Sequence, residues 1–137
     1  MLTIILAAAA ATTGSADLAT PGALAGARIE FATDWGSGAC LGEVGLIYTT
    51  DYYASGRYTD EVSPGTMADE GTYEYQQLSP TVGRITYHVL QAGTWKGGDY
   101  SETLHYTSAT GGTYEGEGAI TDCKYGGPFV VKPDRVE

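Results

Sequence analysis

GTYEYQQLSPTVGRITYHVL, residues 71–90, reads as two strands folded about a tight turn. With Ser79-Pro80-Thr81 at the tip, Tyr75 faces Ile85 and Tyr73 faces Tyr87, and the proline takes the second turn position that a type I turn prefers. One face of this pair carries Tyr73, Tyr75, Ile85, Tyr87 and Val89, while the other carries Glu74, Gln76, Arg84, Thr86 and His88. Such period-two alternation marks strands with one buried face and one wet face. YSETLHYTSATGGTYEGEG, residues 100–118, reads the same way. A three-residue loop at Ala109-Thr110-Gly111 sets Tyr106 opposite Tyr114. It adds Leu104, Tyr106 and Tyr114 to the apolar face and Thr103, His105, Thr107, Glu115 and Glu117 to the polar one.

Working outward, strand signals recur at 28–33, 44–50, 52–59, 72–78, 84–90, 100–108, 113–118, 119–123 and 129–132. Turn clusters stand between most of them, including 36–38, 63–65, 79–81, 97–99, 110–112 and 126–128. No helical stripe survives the glycines beyond Arg28. Short strands at close, regular spacing predict an all-β fold. Eight or so of them over 28–137 suit an antiparallel up-and-down β-barrel, which leaves no open sheet edge. A polar and Ala/Gly-rich lead-in occupies 17–27.

The 137 residues make room for a single domain. Seventeen acidic residues against seven basic ones give a net charge of -10, which repels nucleic-acid phosphates and anionic membrane surfaces alike. Residues 2–11, LTIILAAAAA, form an uncharged run of signal-peptide length, about half of what a membrane-spanning helix needs. A signal peptide over 1–16, cleaved before Asp17, predicts a secreted or periplasmic protein. Cys40 and Cys123, an even pair in such a chain, then suggest one disulfide. Closing so long a loop contributes roughly 3–5 kcal/mol on the chain-entropy model.

The eleven tyrosines are the leading functional signal. Tyr73, Tyr75, Tyr87, Tyr106 and Tyr114 point into the expected barrel, and buried hydroxyls need partners. That arrangement implies either a filled core or an interior site for a small hydrophobic or aromatic ligand. Trp95 and Trp35 sit in glycine-rich loops and suit closure of a barrel end, or presentation to a sugar or a protein. His105 opposite Glu115, with His88 nearby, has the residue types of a metal site, but it lies on the outward face and reads as a solvated charge pair. Asp60, Glu61, Asp69 and Glu70 flank an expected loop at 62–68 without the spacing of a calcium loop. No nucleophile elbow, phosphate loop or zinc-protease motif occurs, so no catalytic residue, metal or cofactor is assigned. The expected function is a non-enzymatic ligand-binding barrel. A self-associating structural or adhesive module is the alternative, and a cyclase or isomerase using the same pocket is the third reading.

The run Gly-Thr-Tyr-x-Tyr, a Ser-Pro turn, alternating Ile/Thr/Tyr and then Thr-Leu-x-Tyr-Thr-Ser-x-Thr-x-Gly-Thr-Tyr spans Gly71 to Tyr114. It resembles small bacterial secreted modules of the calycin-like type, of which MoaF-like barrels are one example. The matching residues are turn and core positions, so the resemblance implies the barrel and implies no catalytic residue.

Overall fold

The computed structural model describes residues 23–120, 122–134 and 136. The expected signal peptide, 1–16, and residues 17–22 of the lead-in lie outside the described residues. Nine strands follow one another: β1 (Arg28–Ala32), β2 (Trp35–Gly38), β3 (Ile47–Tyr52), β4 (Arg57–Ser63), β5 (Thr66–Ser79), β6 (Val82–Ala92), β7 (Tyr100–Ser108), β8 (Gly111–Gly118) and β9 (Cys123–Val131). A single 3₁₀ turn, Leu41–Glu43, joins β2 to β3. Sheet order is β1-β3-β4-β5-β6-β7-β8-β9, and β1 also pairs with β9 from Ile29↔Val131 to Phe31↔Phe129. Every pairing is antiparallel, so eight strands close an up-and-down barrel of the calycin-like kind. The ninth, β2, extends the wall beyond β1 along the same edge of β9. Among the described residues no helix is long and apolar enough to cross a membrane.

The first hairpin has the expected register, with Tyr75↔Ile85 and Tyr73↔Tyr87. The second does not. Leu104, not Tyr106, faces Tyr114, and Tyr106 faces Gly112. A register shift at Thr107 shortens the connection to Ala109-Thr110, because an irregular residue in the strand replaces the three-residue loop. Both tyrosines keep their inward direction, since the slip amounts to a whole period. Strand β5 begins at Thr66, so the expected loop 62–68 is a tight hairpin around Pro64-Gly65. Asp51 does not break a strand; the turn after β3 comes at residues 53–56.

The cluster Gly126-Gly127-Pro128 is not a turn but the middle of β9, which replaces the two short strands expected at 119–123 and 129–132. Here the neighbouring wall is interrupted between β1 and β2, so Pro128 faces a gap where its missing N–H costs no ladder bond. Likewise Gly36-Ser37-Gly38 is strand, paired with Tyr125, Lys124 and Cys123.

One end of the barrel is stapled and the other plugged. Cys40 and Cys123 form a disulfide, with Cα atoms 4.7 Å apart, across the end where β2 leads to β3 and β8 to β9. At the opposite end Leu24 and Ala27 from the lead-in are buried, and the Gly26 N–H donates to the Tyr52 carbonyl. Inside, large rings fit because small residues face them. A Cβ on Gly116 would lie 2.5 Å from the ring of Tyr125, its cross-strand partner.

Two outcomes follow in urea unfolding. Reducing Cys40–Cys123 lowers stability by about 3–5 kcal/mol. Gly116→Ala lowers it by about 1–3 kcal/mol, because the Tyr125 ring must leave its place.

Candidate functional site

The interior holds more than apolar rings. Asp60, Asp69 and Glu102 are all buried, at 6%, 1% and 6% exposure, while no Lys, Arg or His is buried among the described residues. Strand pairing puts Asp60 directly across from Asp69 on β4 and β5. Glu102 reaches the same half of the barrel from β7, one inward position after Tyr100. Hydroxyls converge on each acid. Tyr58 and Tyr100 donate to Asp69 Oδ2 at 2.5 and 2.8 Å. Tyr87 donates to Glu102 Oε1 at 2.8 Å and Tyr125 to Oε2 at 3.0 Å. Thr50 donates to Asp60 Oδ1 at 2.7 Å. Tyr52 and Tyr87 share a further hydroxyl–hydroxyl bond.

These hydroxyls are not enough to hold three charges. Burial pushes the Glu102 carboxyl up to about 7, opposed in part by its two tyrosine donors. Burial and then repulsion from Asp69 push Asp60 well above the ordinary carboxyl range. Asp69 is also raised by burial, less the help of Tyr58 and Tyr100. Asp69 Oδ1 has no hydrogen-bond partner. Two facing carboxyls can bond to each other only if one is protonated, so the pair favours holding a proton. Glu102 is thus able to take or give a proton near neutrality, and all three acids could neutralise a cation. The interior tyrosine hydroxyls are raised by the same burial and stay protonated donors.

Above the acids lies the end of the barrel carrying Trp95. The indole is buried, its N–H donates to the Gly98 carbonyl at 2.7 Å, and its ring packs 4.9 Å from that of Tyr100. A small space of about 20 Å³ remains beside it, bordered by Phe31, Tyr48, Asp60, Trp95, Glu102 and Tyr114 among others. That is room for about one water.

Of the residues expected to meet a ligand, Tyr87, Tyr106 and Tyr114 are buried in the core, and Tyr73 and Tyr75 pack against it half-buried. Only Trp95 and Tyr114 border the small space. Tyr73, Tyr75 and Tyr106 lie toward the other end, where the Tyr75 and Tyr106 hydroxyls are buried without a hydrogen-bond partner. The three acids were not expected inside. Asp60 and Asp69 flank a loop in the sequence pattern, and the hairpin at Pro64-Gly65 instead carries both into the wall. Glu102 was legible, since it alternates with Tyr100, Leu104 and Tyr106.

On the outer wall the two histidines are far apart. His105 pairs with Val82 and with Thr113, not with Glu115, though its Nε2 reaches Glu115 diagonally at 3.5 Å. His88 lies six residues along β6 from Val82, roughly 20 Å away at strand rise, beside Asp99. Trp35 does not close the barrel end; it lies on the outer wall, 44% exposed. No family model, no curated protein and no solved structure matches the chain.

Acids whose folded pKa is raised make the folded state bind more protons than the unfolded one, so stability falls as pH rises from the unfolded carboxyl value toward the folded one. For Glu102 that window runs from 4.5 to about 7. The protein therefore unfolds at lower urea at about pH 8 than at about pH 5. Glu102→Gln removes part of that slope and stabilises the protein at the higher pH by up to about 3 kcal/mol.

Proposed function

We propose that this is an extracytoplasmic binding barrel that takes a compact hydrophobic or aromatic ligand carrying an amine. The ammonium sits at Asp60 and Glu102 and the ring takes the place of the Trp95 indole. The observation that supports this reading is the burial of three carboxyls with no buried Lys, Arg or His among the described residues. Burying acids is costly, and unpaired buried acids are more expected at binding sites than in a core selected for stability alone. A ligand cation would supply the missing charge, and aromatic faces such as those of Tyr100, Tyr114 and Phe31 favour it further. The disulfide and the uncharged run at 2–11 support export. Kinship with MoaF-like barrels belongs to the same proposal and rests on the residues from Gly71 to Tyr114.

Ligand entry requires Trp95 to leave, because the space beside it holds about one water at about 20 Å³. Opening must break the bonds that seat its segment, where the Gly93 and Trp95 N–H groups donate to the Ala68 carbonyl and the indole N–H donates to the Gly98 carbonyl. The small volume also favours a second reading, a filled structural module that works through its outer surface.

Calorimetric titration with phenethylamine and with its neutral counterpart phenethyl alcohol separates the two readings. The binding barrel takes up the amine and not the alcohol, loses it on Glu102→Gln, and binds it more tightly when Trp95→Ala opens the end. Equal binding of both compounds, or binding of neither by the wild-type and Trp95→Ala proteins, contradicts the amine site and leaves the filled module.

A further inference from the structure

The outer wall holds a second, independent feature around Trp35. Its indole lies across Gly126, where a Cβ would fall 2.5 Å from the Tyr114 carbonyl oxygen and 2.7 Å from ring atoms Cε2 and Cζ2. The absent side chain there leaves room for both that carbonyl and the ring lying down on the sheet. Strand register then sets a row across the wall, Arg84↔Thr103, Thr103↔Glu115, Glu115↔Gly126 and Gly126↔Trp35. A second outward row, one period further along the strands, brings Ser101, Glu117 and Lys124 alongside. Between them is a groove of about 310 Å³, with the indole at one end and Arg84 among its lining residues.

The charges in this groove are balanced but not spent on one another. Arg84 donates only to the Thr103 and Ser101 hydroxyls, at 3.4 and 3.1 Å. Glu115 meets His105 at 3.5 Å. Among the described residues, neither Arg84 nor Lys124 has a carboxylate within salt-bridge distance, although Lys124 stands directly across from Glu117. Two cations and two carboxylates cancel, so the groove gives no net attraction to an ion, and the net charge of -10 further disfavours anions. What remains is an apolar platform ringed by strong donors and strong acceptors.

We infer that this groove binds a neutral saccharide. A pyranose presents a flat C–H face that stacks on an indole and a rim of hydroxyls that both donate and accept. The carboxylates of Glu115 and Glu117 accept from those hydroxyls while Arg84 and Lys124 donate to them, and charge-assisted bonds of this kind are the stronger ones. The volume lies at the small end of ligand sites, suited to one or two sugar rings.

The test is an NMR titration of the ¹⁵N-labelled chain with maltotetraose, cellotetraose and tetra-N-acetylchitotetraose in turn, following the Trp35 indole N–H. One of these probes is expected to shift that signal saturably, together with the amides of residues 103, 115, 117 and 124. Trp35→Ala is expected to lower its affinity at least about tenfold with the rest of the amide spectrum retained. Should Trp35→Ala disturb folding, the exposed Arg84→Ala serves in its place, with a several-fold loss expected. No shift with any of the three probes, shifts confined to other walls of the barrel, or undiminished binding by a folded Trp35→Ala protein overturns the inference.

Discussion

Three carboxyl groups enclosed among tyrosine hydroxyls are the constraint around which the interior is organised. Asp60 and Asp69 face each other across β4 and β5, and Glu102 approaches from β7. An acid without a cation can be kept in a barrel only by donors and by protonation, and this interior supplies both. That accounts for an interior built on tyrosine where valine or leucine would fill space more simply. Tyr58, Tyr87, Tyr100 and Tyr125 each bring a ring to the core and a hydroxyl to an acid. The rings also hold one another, with Tyr87 stacked on Tyr100 at 4.3 Å and Tyr58 edge-on to Tyr87 at 4.9 Å. Hydrogen bonding and packing are thus one network, and neither can be altered without the other.

The barrel was legible where alternation is strong. Residues 71–90 announce a hairpin with its register, because a proline turn and five inward apolar residues agree. Legibility fails where glycine has a second use. In β9, Gly126 and Gly127 look like a turn, but they are strand residues made small by close neighbours. One lies beneath Trp35, and the other has the Ala32 carbonyl where its Cβ would be. Bulges were likewise invisible. Ala68, Leu78 and Leu90 each lack a directly paired residue, and Leu78 and Leu90, which share the outward direction of Gln76 and His88, are exposed despite their apolar character.

The site was legible only in part, for a related reason. The inward tyrosines follow from period two, and Glu102 follows from the same count. Asp60 and Asp69 do not, because acids beside a Ser-Pro-Gly turn ordinarily belong to solvent. They become interior only when β5 is seen to start at Thr66, so that the hairpin carries both into the wall. The molecule therefore has two faces of different chemistry. Its interior gathers unpaired acids, whereas its outer wall near Trp35 gathers balanced charges around an aromatic ring.

The most direct measurement of the central claim is a side-chain ¹³C NMR titration of the carboxyl groups in the folded protein. Glu102 is expected to titrate at about 7, with Asp60 and Asp69 also displaced upward. A Glu102 midpoint at the ordinary 4.5, with both aspartates unperturbed, would contradict it, since the acids would then be in contact with water.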